Sequence, residues 1–150
     1  MTPSTKPNVI LVAEDDSDDR LLAQDAFKEI GANLDVQFVE DGVELLDYLH
    51  RRNKFAAPAS APRPGLIILD LNMPRKDGRE ALKEIKANPE WQRIPVVVLT
   101  TSAAETDVAK VYSLGANSFI SKPVAFAALV GVLRTVVEYW FKVVLLPVKN

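Results

Sequence analysis

The 150-residue sequence contains no cysteine and a single histidine, His50. Disulfides, thiolate metal sites and cysteine nucleophiles are therefore excluded, and one isolated histidine cannot complete a zinc site or a histidine-based catalytic triad. An excess of basic residues is also missing, because the formal net charge is −2 at pH 7. Nucleic-acid-binding surfaces are normally basic, so direct binding to nucleic acid is not expected.

Long apolar runs are absent as well. Residues 1–8 lack the apolar core of a secretion signal, and we expect them to form a flexible tail. The most apolar segment, residues 126–146, contains three charged residues, which argues against a membrane span.

The chain length suits a single domain, which we place at residues 9–146 and follow with a tail at residues 147–150. The lack of cysteine is compatible with a reducing compartment, and we expect a cytoplasmic protein.

The centre of the sequence is a short apolar run that ends in a carboxylate. Residues 66–69, Leu-Ile-Ile-Leu, lie between Gly65 and Asp70 without alternation of polar and apolar side chains. Such a run is typical of a strand that is buried on both faces of a parallel sheet. Asp70 would then lie at the carboxyl edge of the sheet, where α/β proteins bind ligands. The alternative is an aspartate that only caps the following turn.

Four other segments have the same short apolar pattern or a weaker form of it. Segments with helical patterns lie between them. The four segments are residues 9–13, 36–39, 95–100 and 118–121. The first helix is expected to begin with Ser17 or Asp18 as its cap and to stop at Gly31. Three acids near the start of this helix, Asp16, Asp18 and Asp19, are expected to interact favourably with its dipole. The alternation predicts an α/β fold with a parallel sheet, helices on both faces and right-handed crossovers.

The last helical segment, residues 126–146, carries more apolar residues than a helix that covers a sheet requires. Two apolar stripes run along it, and its polar ridge is limited to Arg134, Glu138 and Lys142. One stripe can pack on the sheet, so we expect the other to form an interface with a partner or a second copy. Gly131 lowers helix propensity and is expected at a close-packed position. The residues assigned to this interface are Leu133, Val136, Val137, Trp140, Phe141 and Val144.

The carboxyl ends of the predicted strands bring together side chains that packing does not explain. They are Glu14, Asp15, Asp70, Thr100 and Lys122. Three neighbouring carboxylates repel one another unless a cation lies between them, and oxygen ligands without histidine or cysteine favour Mg²⁺ or Mn²⁺. A hard cation, a hydroxyl and an ammonium group suit phosphoryl transfer, with Asp70 as the nucleophile that becomes an aspartyl phosphate.

Taken together, these residues and the proline that follows Lys122 resemble the receiver domain of bacterial two-component response regulators. The resemblance covers residues 9–133. It implies a flavodoxin-like, doubly wound sheet of five strands in the order 2-1-3-4-5. It also implies that Asp70 accepts a phosphoryl group from a sensor histidine kinase. The protein would then be a signalling protein rather than an enzyme, and it would pass its signal to a downstream protein by binding.

The same resemblance implies roles for individual residues. Thr100 and Phe119 match the two residues that move on phosphorylation, although Phe119 lacks the hydroxyl of the tyrosine that many relatives carry. A cis peptide bond before Pro123 is also implied. The Mg²⁺ ligands that it implies are Asp15, Asp70, the backbone carbonyl of Asn72 and, through water, Glu14.

A closer resemblance leads to the small regulators that are paired with cyanobacterial phytochrome kinases. It rests on residues 74–86 and 93–102, on the lengthened loop before the central strand and on the aromatic segment that ends in Leu-Pro. Regulators of that group are free-standing receivers and are often dimeric. The resemblance therefore implies a phytochrome kinase as partner and a homodimer formed through the last helix and the tail.

Two other functions stay open from the sequence. A hydrolase that uses an aspartate nucleophile needs a second acid two residues later, where this chain has Asn72, so only slow self-dephosphorylation is expected. The other is a binding module that resembles a receiver but never becomes phosphorylated. The intact set of acids, hydroxyl and lysine argues against it.

Overall fold

The computed structural model describes residues 8–31, 33–57, 61–101 and 104–145, and in these ranges five strands alternate with five α-helices. The strands are β1 (Asn8–Ala13), β2 (Leu34–Val39), β3 (Leu66–Leu69), β4 (Val96–Thr100) and β5 (Ser118–Ser121). The helices are α1 (Ser17–Ile30), α2 (Gly42–His50), α3 (Gly78–Ala87), α4 (Glu105–Ser113) and α5 (Phe126–Glu138).

The strands form one parallel sheet in the order β2-β1-β3-β4-β5. Every residue of β3 and β4 is buried, as expected for uninterrupted apolar strands that are covered on both faces. The strand order changes direction next to β1, which creates a crevice at the carboxyl ends of β1 and β3. The predicted doubly wound, flavodoxin-like sheet is confirmed.

Two apolar cores lie on opposite faces of this sheet. Successive strand residues point to opposite faces, so Leu11 joins the core beneath α2, α3 and α4, whereas Ile10 joins the core beneath α1 and α5. No helix within the described ranges is both long and apolar enough to span a membrane.

The ends of the first strand and helix differ slightly from the prediction. Strand β1 begins at Asn8, one residue before the expected start of the domain, and residues 1–7 and 146–150 lie outside the described part of the chain. Helix α1 is capped by Asp16 rather than by Ser17 or Asp18, because the extended backbone of Asp16 lets its carboxylate accept a hydrogen bond from the backbone N–H of Asp19 at 3.0 Å.

The last helix is shorter than predicted. Helix α5 ends at Glu138 and passes into a π-helical turn, Tyr139–Val143, after which Val144 is extended. Gly131 lies on the exposed side of α5, and a methyl group added to it would have no neighbour within 4 Å. The expectation of a close-packed glycine was therefore wrong.

Three residues assigned to an interface lie instead in the protein's own core. Leu133, Val136 and Val137 are buried beneath α5, because α1 packs beside α5 and covers a wider arc of the helix than the sheet alone would cover. Trp140 and Phe141 pack against the edge of the same core and are half-buried. Val144 is half-buried as well.

The apolar surface near the end of the chain is formed by other residues. Tyr139, Val143 and Leu145 are exposed, with Leu145 at 99%. The peptide bond before Pro123 is trans, since no cis bond occurs within the described ranges. The cis bond that the resemblance implied is therefore not found.

Candidate functional site

The carboxyl ends of four strands meet at one acidic site. Glu14 follows β1, Asp70 follows β3, Thr100 ends β4 and Lys122 follows β5. Glu14 and Asp70 are only 5% and 7% exposed, and Thr100 is fully buried. The side chains that the sequence placed at one edge do meet there, because parallel strands share the edge at which they end.

The ammonium group of Lys122 connects three carboxylates at this site. Its Nζ donates hydrogen bonds to Glu14 Oε1 at 2.6 Å, to Asp19 Oδ2 at 3.2 Å and to Asp70 Oδ2 at 3.3 Å. Asp19 was expected only to favour the dipole of α1, and sequence reasoning missed this contact. The contact depends on how the first turn of α1 is oriented over the strand ends, which the sequence pattern does not show.

The two oxygens of Asp70 have different surroundings. Oδ1 accepts hydrogen bonds from the Thr100 hydroxyl at 2.9 Å and from the backbone N–H of Asn72 at 3.2 Å. Oδ2 faces Lys122. The carboxylate is thus fixed in orientation by a hydroxyl, a backbone amide and an ammonium group, which are groups that also bind phosphoryl oxygens.

Burial and charge shift the proton affinities of the two most enclosed groups. Burial raises the pKa of Glu14 to about 7; the hydrogen bond from Lys122 opposes this shift, and the negative charge of Asp70 adds to it. Burial alone would lower the pKa of Lys122, but the hydrogen bond to Glu14 and the nearby carboxylates raise it. Lys122 therefore stays charged, yet it does not fully neutralise the acids around it.

The donor set at this edge fits a divalent metal ion. One carboxylate oxygen each from Glu14, Asp15 and Asp70 lies within 4.8 Å of the others. All of these ligand atoms are oxygens, which hard divalent cations prefer. The Arg20 side chain, which sequence reasoning did not single out, donates from Nη1 to the carbonyl oxygens of Glu14 and Asp15 at 2.9 and 3.0 Å and so fixes the backbone of the acid pair.

Asn72 and Phe119 also have predicted roles, and these roles stay predictions. Asn72 is exposed and follows Asp70 in the loop after β3. Phe119 is half-buried on β5, packs against the core beneath α2, α3 and α4, and donates its backbone N–H to the Tyr112 hydroxyl at 3.0 Å. The single histidine, His50, lies at the end of α2 and belongs to a different part of the molecule.

An apolar cavity of about 320 Å³ adjoins the acids between α1 and the start of α5. Its lining includes Leu22, Phe126 and Leu129, together with Asp70 and Lys122. Val124, at its rim, is fully exposed and Leu22 is 42% exposed. The acidic site is thus flanked by apolar surface that another molecule can contact.

Comparisons with known proteins agree with this geometry. Residues 10–134 match the family model described as the response regulator receiver domain. The chain is 40% identical over 144 residues to Response regulator Rcp1 of Synechocystis sp. strain PCC 6803, a match that covers 96% of each chain.

Two solved structures are similar over nearly their whole length. The phosphorylated cyanobacterial phytochrome response regulator RcpA superposes with a TM-score of 0.87 at 39% identity, over 95% of this chain and 99% of that one. The Mn²⁺-bound form of Rcp1 superposes with a TM-score of 0.84 at 39% identity, over 95% of this chain and all of that one.

Proposed function

The chain belongs to the response regulator receiver domain family, and on that premise we propose that Asp70 accepts a phosphoryl group from a sensor histidine kinase in a Mg²⁺-dependent reaction. The observation that carries this proposal is the set of contacts around Asp70. A buried carboxylate at a strand end is held by the Thr100 hydroxyl and by Lys122, and it lies beside two further acids.

Each residue has a distinct task in this proposal. Asp70 is the nucleophile that becomes the aspartyl phosphate. Thr100 and Lys122 already point a hydroxyl and an ammonium group at its two oxygens, so both are placed to bind oxygens of an incoming phosphoryl group. Mg²⁺, when bound, neutralises negative charge on the phosphoryl oxygens. It would be held by Asp15, Asp70, the backbone carbonyl of Asn72 and, through water, Glu14.

The relatives support the choice of metal class and of partner. The similar structure of Rcp1 contains Mn²⁺, and RcpA is described as a phosphorylated phytochrome response regulator. A phytochrome histidine kinase is therefore the proposed phosphodonor of this chain. The apolar cavity beside Asp70, with Leu22 and Val124 exposed at its rim, would contact the kinase while its phosphohistidine meets the carboxylate.

Thr100 and Phe119 are the proposed switch. Thr100 lies on β4 and Phe119 on the neighbouring strand β5, where Phe119 packs against the core that includes α4. Movement of the Thr100 hydroxyl from Asp70 to a phosphoryl oxygen would change the space available to the Phe119 ring. The surface formed by α4, β5 and α5 would then pass the signal to a downstream protein by direct binding in the cytoplasm, without enzymatic activity beyond slow self-dephosphorylation.

A homodimer through the end of the chain is part of this proposal. Trp140, Phe141 and Val144 are half-buried, and they adjoin the exposed side chains of Tyr139 and Val143. Replacing both exposed side chains with serine should shift the mass measured by light scattering toward that of a monomer. Val124→Ser removes a fully exposed apolar side chain at the rim of the cavity beside Asp70, outside the π-helical turn, and should leave the mass unchanged. A wild type that is monomeric at high concentration would refute the dimer.

The phosphorylation proposal is tested with acetyl phosphate, with and without Mg²⁺, followed by intact mass spectrometry. We expect the mass to increase by one phosphoryl group only when Mg²⁺ is present. Asp70→Asn should abolish the increase, whereas Asp25→Asn, at an exposed position on α1, should not. Labelling of Asp70→Asn at the wild-type rate would show that the acceptor is a different residue. No labelling under any condition would favour a binding module that is not phosphorylated.

A further inference from the structure

A second cleft lies at the opposite edge of the sheet from Asp70. It has a volume of about 320 Å³ and lies between the end of α2, the segment that leads into β3 and the loop between α3 and β4. This volume is at the lower end of the range of about 300 to 1,000 Å³ that small-molecule sites span. None of the acidic-site residues lines it.

Side chains that line the cleft donate hydrogen bonds to backbone carbonyl groups around it. Tyr48 donates its hydroxyl to Pro62 O at 2.7 Å, and Arg51 donates from Nε to the carbonyl oxygen of Ala61 at 3.0 Å. Arg63 donates from Nη1 to the carbonyl oxygen of Glu90 at 2.7 Å. These bonds fix both guanidinium groups against the walls of the cleft.

Hydrogen-bond donors remain in excess after these contacts are made. A guanidinium group has five N–H donors. Within the described residues, Arg51 and Arg63 each use one of them. Asn88 also lines the cleft; its Oδ1 accepts from the backbone N–H of Glu90 at 2.8 Å, and its amide nitrogen donates to none of the described residues. A ligand that suits this lining must bring acceptor atoms.

The charge of the lining leads to the same conclusion. The charged side chains that line the cleft are two arginines, Arg51 and Arg63, and one acid, Glu90. Burial lowers the pKa of Arg63; Glu90 opposes this shift, and the positive charge of Arg51 adds to it. Burial likewise lowers the pKa of His50, as does the charge of Arg52, so its imidazole is neutral at pH 7. The cleft therefore carries a net positive charge in a chain whose net charge is −2.

One wall of the cleft is aromatic. The rings of His50 and Trp91 meet edge to face, with their centroids 4.4 Å apart and an angle of 76° between their planes. Both residues line the cleft; the His50 ring is exposed, and Trp91, only 7% exposed, packs behind it. A flat ring gains contact area and favourable stacking against such a surface.

We propose that this cleft binds a small phosphate-bearing ligand with a flat ring, of the nucleotide class. The phosphate would accept hydrogen bonds from Arg51 and Arg63, and the ring would lie against the exposed His50 imidazole, which Trp91 supports from behind. Arginine is suited to this task because its planar fork matches two phosphate oxygens. The proposal concerns a site separate from Asp70 and does not depend on phosphorylation there.

The experiment uses the Trp140→Phe variant, in which Trp91 is the only tryptophan that remains, so fluorescence reports on the cleft. AMP is titrated in the presence of EDTA, which keeps divalent metal from drawing phosphate to the acidic site. We expect saturable binding of AMP that is tighter than that of adenosine or of inorganic phosphate. Arg51→Gln combined with Arg63→Gln should weaken AMP binding at least about tenfold, since each change removes charge-assisted hydrogen bonds.

Arg52→Gln is the matched control. Arg52 adjoins Arg51 in the sequence, but it pairs with Asp47 and does not line the cleft. AMP affinity of this variant should stay within about twofold of the starting protein, a difference of less than about 0.5 kcal/mol. Isothermal titration calorimetry of the wild type checks that the fluorescence change reports binding.

Three outcomes would overturn the proposal. One is the absence of AMP binding at about 5 mM, a concentration that would detect a site with a Kd of about 1 mM. Another is equal binding of adenosine or of inorganic phosphate, because the proposed site requires both phosphate and ring. The third is an equal loss of AMP affinity in Arg52→Gln and in the double variant.

Discussion

At the carboxyl edge of the sheet, the carboxylates of Glu14, Asp19 and Asp70 share the ammonium group of Lys122, whereas at the amino edge two arginines and one acid, Glu90, line the cleft. The carboxyl edge has more hydrogen-bond acceptors than donors, and the amino edge has more donors than acceptors. The net charge of the whole chain, −2, therefore does not show the local charge at either edge.

The two edges also differ in how strongly water can compensate these charges. Glu14 and Asp70 are buried, so a charge left without a partner there is costly. Arg51 is exposed and Arg63 is half-buried, so water can replace the contacts that they lose. The acidic edge therefore depends on a cation for its stability, whereas the basic edge keeps its donors free for a ligand. Four predictions test this difference, beginning with the largest effect.

Removing the shared ammonium group should have the largest effect on stability. In metal-free protein at about pH 8, Lys122→Met should lower the free energy of unfolding by about 4 kcal/mol, because it leaves buried carboxylates without a cation. Mg²⁺ should restore part of this loss, since the ion would lie among the same oxygens. Urea unfolding with EDTA or Mg²⁺ measures both effects. A loss below about 1 kcal/mol in EDTA would mean that water already reaches these acids.

Two glycines allow a comparison of backbone rigidity at the two edges. A methyl group at Gly78 would lie 2.3 Å from the carbonyl oxygen of Asp70, and one at Gly65 would lie 2.9 Å from Cε1 of Phe141. A backbone carbonyl cannot move aside, but the end of an aromatic ring can. Gly78→Ala should therefore cost about 3 kcal/mol and slow phosphorylation, whereas Gly65→Ala should cost about 1 kcal/mol. Equal losses in urea unfolding would contradict this difference.

Stability at the acidic edge should depend on pH through Glu14. Its pKa is about 7 in the folded protein and 4.5 ordinarily, so the folded state binds this proton more tightly than the unfolded state. The contribution to stability is full below pH 4.5 and is lost as the pH rises through 7. In EDTA, the wild type should lose about 2 kcal/mol between about pH 5 and about pH 8 relative to Glu14→Gln. Parallel pH profiles of the two proteins would contradict this assignment.

The acidic edge could be predicted from the sequence because each of its main residues directly follows a recognisable strand. Asp70, Thr100 and Lys122 are brought together by the order of parallel strands alone. Asp19 and Arg20 were missed, since their contacts depend on how α1 is oriented over the strand ends.

The basic edge and the last helix could not be predicted in the same way. The cleft is formed by three segments that are distant in sequence, and its donor excess appears only when the carbonyl partners are known. The burial of Leu133 and Val137 depends on α1, which packs beside α5 although the two helices are far apart in the chain. An apolar stripe in the sequence shows that a surface is covered, but it does not show which part of the molecule covers it.

The smallest effect is expected from removing a cation at the basic edge. Arg63→Gln removes a hydrogen bond to the carbonyl oxygen of Glu90 and one of the two guanidinium groups that face the cleft. Water can reach that carbonyl, and the loss of Arg63 relieves the repulsion from Arg51, so unfolding in urea should change by less than about 1 kcal/mol. Arg52→Gln, outside the cleft, should give a change of the same size. A loss for Arg63→Gln as large as that for Lys122→Met would show that Arg63 is a structural partner of Glu90, and the two edges would then differ only in the sign of their charge.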